Sequence, residues 1–267
     1  MNPDDLALNC SLALRGVAPH ERPSTAAALG YAAMEFWWPF EEQDPGAERI
    51  RCFVDDVRRA AIPAVLLNFP GGGPAVEDRG LLSAPGRQDD FLRAAETAIG
   101  IGRRIGTTRY NPMAGNIAGA WSEGSQEFET ALTNLLRVAP LAADADAMIV
   151  LEPLSGFPRA ALKTFADAQA LVRAAHREGA ENVAVLYDLF HLATNEDPAL
   201  PGALPAIDLI GHVQIADRPG RGWPGTGELP VEQWVRELRT AGYRGVIGLE
   251  CVGEKPRPAE RAFISRN

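Results

Sequence analysis

The sequence predicts an α/β protein folded as a (β/α)8 TIM barrel, and three observations predict it. Eight short apolar runs recur along the chain, the strand number of that barrel. Helix-like stretches separate the runs, which implies a parallel sheet. No composition shift or Ser/Gly linker divides the 267 residues, so one domain, 1–267, is expected.

The first run is ALNCSLA at 7–13, the second MEFWW at 34–38, the third AVLLNF at 64–69 and the fourth TTRYNPM at 107–113. The fifth, AMIVLEP at 147–153, is nearly continuous in apolar residues, as a parallel strand covered on both faces requires. VAVLYDLF at 183–190, IDLIGHVQIA at 207–216 and GVIGLEC at 245–251 complete the set. Between them, Phe165, Ala168, Val172 and Ala175 recur at three- and four-residue steps, as do Val231, Trp234, Val235 and Leu238; each set makes one buried helical stripe. The segment 68–88, rich in Gly and Pro, follows the third strand on the side where barrel active sites assemble, and reads as a lid or as a surface turn. After Glu250 only GEKPRPAERAFISRN and one preceding dipeptide remain, enough for about two to three helical turns, so an abbreviated last helix is expected.

Bulk properties narrow the function. With 46% apolar residues the chain can bury a sizeable core. Its net charge of −9 repels nucleic acid and anionic membranes, so neither is an expected partner. Cys10, Cys52 and Cys251 are too few and too scattered for a disulfide framework or a CxxC site, which fits a cytoplasmic location. No signal-like start and no run of roughly 18 apolar residues is present. Gly100, Gly102 and Gly106 superficially match a dinucleotide fingerprint, but they end a helix and lead into a strand, the reverse of the order needed. Gly71 to Gly73 lack the Lys and Ser/Thr of a phosphate-binding loop, and no Gly-x-Ser-x-Gly elbow exists.

The chemistry concentrates in the last four strands. Glu152 in IVLEPL, Asp188 in VLYDLF and Glu250 in IGLECV lie in or just beyond apolar runs, and Gln214 lies in HVQIA. An ionised carboxylate in such surroundings costs several kcal/mol unless paired. One divalent cation would compensate three at once. Singly, each residue could cap a helix or pair with Arg; jointly, at neighbouring strand ends facing one mouth, they point to a metal site. Oxygen ligands suit Mg2+ or Mn2+, with Co2+ and Zn2+ also compatible. His191, three residues after Asp188, is positioned for a substrate hydroxyl or for orienting a ligand, and His212, two residues before Gln214, for a substrate contact or barrel packing. His20 and His176 read as surface residues.

At these residues the chain resembles the hydroxypyruvate isomerase family of xylose isomerase-like TIM barrels. The matching segments are MEFWWPF at 34–40, LLNFPGG at 66–72, RGLLSAPGR at 79–87, VLEPLS at 150–155, LYDLFH at 186–191, GHVQIAD at 211–217, PGTGEL at 224–229 and GLEC at 248–251. The resemblance implies that Glu152, Asp188, Gln214 and Glu250 hold the metal and that Glu152 and Glu250 are also the catalytic acid/base pair. It further implies that Arg221 meets the substrate's carboxylate, with Asn68 of LLNFPGG, His191 and His212 as other substrate-binding residues; Arg218 and Lys255 read as solvated. The related ketose epimerases usually carry His where this chain has Gln214, so the implied reaction is interconversion of hydroxypyruvate and tartronate semialdehyde, ahead of another short oxo-acid or a free ketose. A phosphodiesterase on the same barrel ranks lower, because four histidines are few for several zinc ions. The expected partner is a small oxo-acid or sugar, and homo-oligomerisation is left open.

Overall fold

A computed structural model describes residues 5–71, 79–195 and 204–253. Eight parallel strands close into a barrel in chain order: β1 (Leu6–Asn9), β2 (Ala33–Phe36), β3 (Ala64–Asn68), β4 (Arg109–Asn111), β5 (Met148–Leu151), β6 (Val183–Asp188), β7 (Ile210–Ile215) and β8 (Ile247–Leu249), with β8 pairing back to β1. Each predicted run overlaps one strand. The runs overshoot because the first loop residues after a strand, such as Trp37 and Phe69, are themselves apolar.

The outer helices are α1 (Cys10–Ala13), α2 (Arg22–Ala28), α3 (Ala47–Ala60), α4 (Gln88–Ile105), α5 (Gln126–Ala143), α6 (Phe165–Arg177), α7 (Leu189–Asn195) and α8 (Val231–Ala241). Helix α6 starts with a reciprocal capping box between Thr164 and Asp167 and buries Phe165, Ala168, Val172 and Ala175, the stripe read from its sequence. Helix α8 buries Val231, Val235 and Leu238, with Trp234 packed partly against the core. Helix α4 stops at Gly106, whose left-handed φ of 80° closes the helix end. Of the glycines that mimicked a fingerprint, Gly106 serves helix termination and Gly102 packing, since a Cβ on Gly102 would lie 2.2 Å from the Tyr110 hydroxyl. The abbreviated last helix, Lys255 and Gly72–Gly73 fall outside the described residues. Among the described residues no helix is long and apolar enough to cross a membrane.

Strand periodicity positions the site. Residues two apart share a face. Leu67, Ile149, Leu151, Val183, Val185, Tyr187, Val213, Ile215, Ile247 and Leu249 join the large outer core under the helices. The alternate residues Leu66, Val150, Ala184 and Leu186 form a small separate cluster with Met148 inside the barrel. One further step of two along these strands reaches Asn68, Glu152 and Asp188. The buried polar groups thus make the last inward layer at the carboxyl ends, above an apolar plug.

Candidate active site

Seven barrel strands contribute to this polar cluster, from within the strand or from the residue just after it, and all its members are buried: Glu35, Asn68, Asn111, Glu152, Asp188, His212, Gln214 and Glu250. Glu152 accepts from Asn111 Nδ2 at 2.7 Å. Asp188 Oδ1 accepts the backbone N–H of Phe190 and His191, which opens α7, while Oδ2 faces Arg221 at 2.7 Å. Glu250 Oε1 accepts from Trp37 Nε1 at 3.0 Å and faces the same Arg221 nitrogen at 2.9 Å. Ligand atoms of Glu152, Asp188 and His191 lie within 4.8 Å of one another, a buried cluster that could hold a metal ion.

The His191 tautomer follows from its neighbours. Nδ1 receives the backbone N–H of Ser155 at 2.9 Å, and a backbone N–H can only donate. Nδ1 is therefore the unprotonated nitrogen. Burial, the largest cause, pushes the ring pKa down to about 4, opposed by Asp188 and aided by Arg221 and Arg79, so the ring is neutral and carries its proton on Nε2. That nitrogen points between Glu152 and Asp188, 3.7 and 3.8 Å away. In this state His191 offers a hydrogen-bond donor to the pocket rather than a lone pair to a metal.

Two substrate-contact expectations take a different form in the structure. His212 gives Nε2 to Glu35 at 2.6 Å, committing that nitrogen to a carboxylate the sequence reading had passed over. Arg221, expected at the substrate's carboxylate, has one guanidinium nitrogen already shared between Asp188 and Glu250. Its backbone is left-handed, with φ of 60°, in a tight turn between Gly220 and Gly222. Buried Asp217 ties that loop down by accepting the N–H groups of Arg218, Gly225, Gly227 and Leu229. Asn68 sits in the inward layer and its amide nitrogen lies 3.8 Å from Met113 Sδ. His20 is exposed, whereas His176 is half-buried with Nε2 2.7 Å from the Val183 carbonyl. Arg218 pairs with Glu228 at the surface and also reaches the Ala193 carbonyl.

Glu35 is the main residue missed. It carries the same signal as Glu152, a lone carboxylate in an apolar strand (AMEF), and is fully buried. Its other oxygen accepts from Gln214 Nε2 at 2.8 Å. This bond fixes the amide: Nε2 faces Glu35, and Oε1 is left buried without any partner. An orphaned buried acceptor costs about 1–3 kcal/mol. A buried amide oxygen without a partner suits a cation ligand, so the donor set fits the divalent ion that these residues imply.

The electrostatics agree with that fit. Burial raises Glu152 well above the ordinary carboxylate range, reinforced by Glu250 and Asp188 and opposed by Arg221 and the Asn111 bond. Burial likewise raises Glu250 to about 7, opposed by Arg221 and Trp37 and reinforced by Asp188 and Glu35. Two buried carboxyls raised above the ordinary carboxylate range are suited to hold and release protons.

The chain is similar over most of its length to known proteins. The family described as xylose isomerase-like TIM barrel matches residues 23–265. A Streptomyces coelicolor protein provisionally named a hydroxypyruvate isomerase is 36% identical, covering 91% of this chain and 88% of its own. The Escherichia coli hydroxypyruvate isomerase is 28% identical over 90% of this chain and 88% of its own. A Cupriavidus necator 2-oxo-tetronate isomerase is 32% identical over 97% and 95%. Among solved structures, a Brucella melitensis protein named as an AP endonuclease of family 2 superposes with a TM-score of 0.83 at 26% identity, over 97% of both chains. An Escherichia coli 3-keto-D-glucoside 4-epimerase shares the fold at a TM-score of 0.73 and 18% identity, over 97% and 96%.

Proposed function

This chain belongs to the hydroxypyruvate isomerase family within the xylose isomerase-like TIM barrels, and we propose that its reaction is the interconversion of hydroxypyruvate and tartronate semialdehyde (2-hydroxy-3-oxopropanoate). The family makes it an isomerase of sugars or oxo-acids. The observation that supports the proton-transfer chemistry is the pair of buried strand-end carboxyls, Glu152 and Glu250, both raised above the usual carboxylate range.

The reaction moves a carbonyl between adjacent carbons through an enediolate. A proton leaves C3 of hydroxypyruvate and one is returned to C2. Glu152 and Glu250 divide these two transfers. Glu152, Asp188, Gln214 and Glu250 would hold the divalent cation, Mg2+ or Mn2+ first, with Co2+ and Zn2+ compatible. When bound, such an ion supplies Lewis-acid polarisation of the carbonyl and stabilises the negative charge that develops on oxygen. His191 presents Nε2–H to a substrate oxygen, and Asn68 lines the same layer.

The test is an assay of purified protein with Mg2+ or Mn2+ on substrates of three to six carbons, including 2-oxo-tetronate and free ketoses. Hydroxypyruvate is expected to give the highest kcat/KM. Turnover of a ketose with none of hydroxypyruvate overturns the proposal. The name of the Brucella relative favours a phosphodiesterase reading, and cleavage of abasic-site DNA by this protein would establish it. Against it stand the acidic net charge and a described mouth with two histidines, one of them committed to Glu35.

Glu35 is expected to act on metal binding through Gln214. In Glu35→Gln a single acceptor replaces two, so the Gln214 amide is no longer held in one orientation. Divalent-cation affinity should fall roughly 10–100-fold, as for partners that orient metal ligands elsewhere. Calorimetric titration with Mn2+ measures it, and an unchanged Kd would show that Glu35 serves packing alone.

A further inference from the structure

Among the described residues, the site so far lacks a receptor for the negative end of an oxo-acid, since Arg221 is shared between two of the site's own carboxylates. We propose that Arg79 binds the substrate's carboxylate and makes this barrel selective for short 2-oxo acids over uncharged ketoses of the same length. This rests on the isomerase reading above and names the residue that reads the acid group.

Among the described residues, Arg79 has no counter-ion. Its guanidinium carbon lies 3.7 Å from the centre of the Phe157 ring, close enough to stack. Its Nε is buried and meets no hydrogen-bond partner. Desolvation alone lowers its pKa, with no carboxylate among the described residues compensating. Phe157 follows Glu152 by five residues, in the loop that leaves β5. Two residues before Phe157, in the same loop, Ser155 donates its N–H to His191 Nδ1 at 2.9 Å, so the ring on which Arg79 stacks belongs to a segment that touches the site.

The seat of Arg79 is rigid. Gly80 has φ of 121° and packs so closely on the loop after β4 that a Cβ there would lie 1.8 Å from the Met113 carbonyl oxygen. Gly80 N–H donates to the Gly71 carbonyl at 3.0 Å. Ser83 donates its N–H and its hydroxyl to the Ala114 carbonyl, and Asn134 Nδ2 donates to the Leu82 carbonyl at 2.8 Å. Residues 80–83 therefore clamp the segment to its neighbours and fix where Arg79 starts.

A stacked guanidinium directs its N–H groups outward along its edge, in the plane that matches both oxygens of a carboxylate. With an oxo-acid bound, the uncompensated charge gains a partner through the outer guanidinium edge. With a neutral ketose it stays unpaired, and a site left with an unpaired polar group discriminates strongly. Hydroxypyruvate and dihydroxyacetone make the comparison direct, because they differ in one group, a carboxylate against a hydroxymethyl.

The experiment compares wild type, Arg79→Gln and Arg79→Lys, all loaded with Mn2+ and checked for equal metal content and Tm. Two quantities are read: the ratio of kcat/KM for hydroxypyruvate to that for dihydroxyacetone, and the calorimetric Kd of pyruvate, which has the acid group but needs no turnover. Arg79→Gln is expected to lower the ratio by about 100-fold or more and to weaken pyruvate by about tenfold or more, with Arg79→Lys in between. An unchanged ratio with an unchanged pyruvate Kd overturns the assignment while leaving the isomerase reading intact. If wild type isomerises no oxo-acid, yet pyruvate binding still depends on Arg79, the isomerase reading fails and the anion site stands.

Discussion

Glu152→Gln and Glu250→Gln are each expected to lower kcat by roughly 10^3-fold or more, since an amide keeps the shape and an oxygen ligand but cannot accept or return a proton. A coupled assay of hydroxypyruvate isomerisation measures this, and full activity in either variant removes that residue from the acid/base pair. The same substitutions should stabilise the metal-free protein. A carboxyl whose folded pKa is raised is held best when protonated; its stability contribution is complete below the unfolded pKa and is lost as pH rises through the folded one. For Glu250 the window runs from its ordinary 4.5 up to about 7. The metal-free wild type should therefore weaken across that window, by on the order of 3 kcal/mol from this residue. Gln mimics the protonated form, so the gain of Glu250→Gln over wild type should be small at pH 4.5 and largest above pH 7. Urea unfolding in chelator at both pH values checks it.

Arg221→Met carries the second large effect. The guanidinium lies 2.7 Å from Asp188 and 2.9 Å from Glu250, and both carboxylates are nearly inaccessible to water. Removing it leaves buried Asp188 without its cation and drives Glu250 further toward its protonated form, expected to cost about 3–5 kcal/mol in the metal-free protein. A divalent ion at about 100 times its Kd returns roughly 2.7 kcal/mol by linkage alone, and more here because the vacated carboxylates bind it more tightly. Unfolding midpoints of wild type and variant, with chelator and with Mn2+, test this. A metal-free loss below about 1 kcal/mol would mean that Arg221 is not the internal counter-ion of the site.

Several features of the site were readable one residue at a time. Glu152, Asp188 and Glu250 announce themselves as charges in apolar runs, and they share one layer because each follows the inward parity of its strand. Glu35 carries the same mark. It escaped because the set was built on the last four strands, whereas β2 lies across the barrel from β6. Arg221 shows the opposite failure. Its loop position identified it as a cation near the mouth, but a sequence cannot say whether a flexible arginine meets a ligand or the protein's own carboxylates.

The sequence by itself determined the eight strands, the amphipathic helices and the level of the barrel at which the polar groups lie, because these depend on local periodicity that each segment carries alone. Only the tertiary structure decided which groups meet. Barrel closure and the register shifts at Met34/Glu35 and Val185/Leu186 bring Glu35 to His212 and Gln214. The β5 loop sets the His191 tautomer through Ser155 and supplies the ring on which Arg79 stacks. Contacts across a closed barrel depend on the summed geometry of every strand between them, and no local pattern encodes that sum.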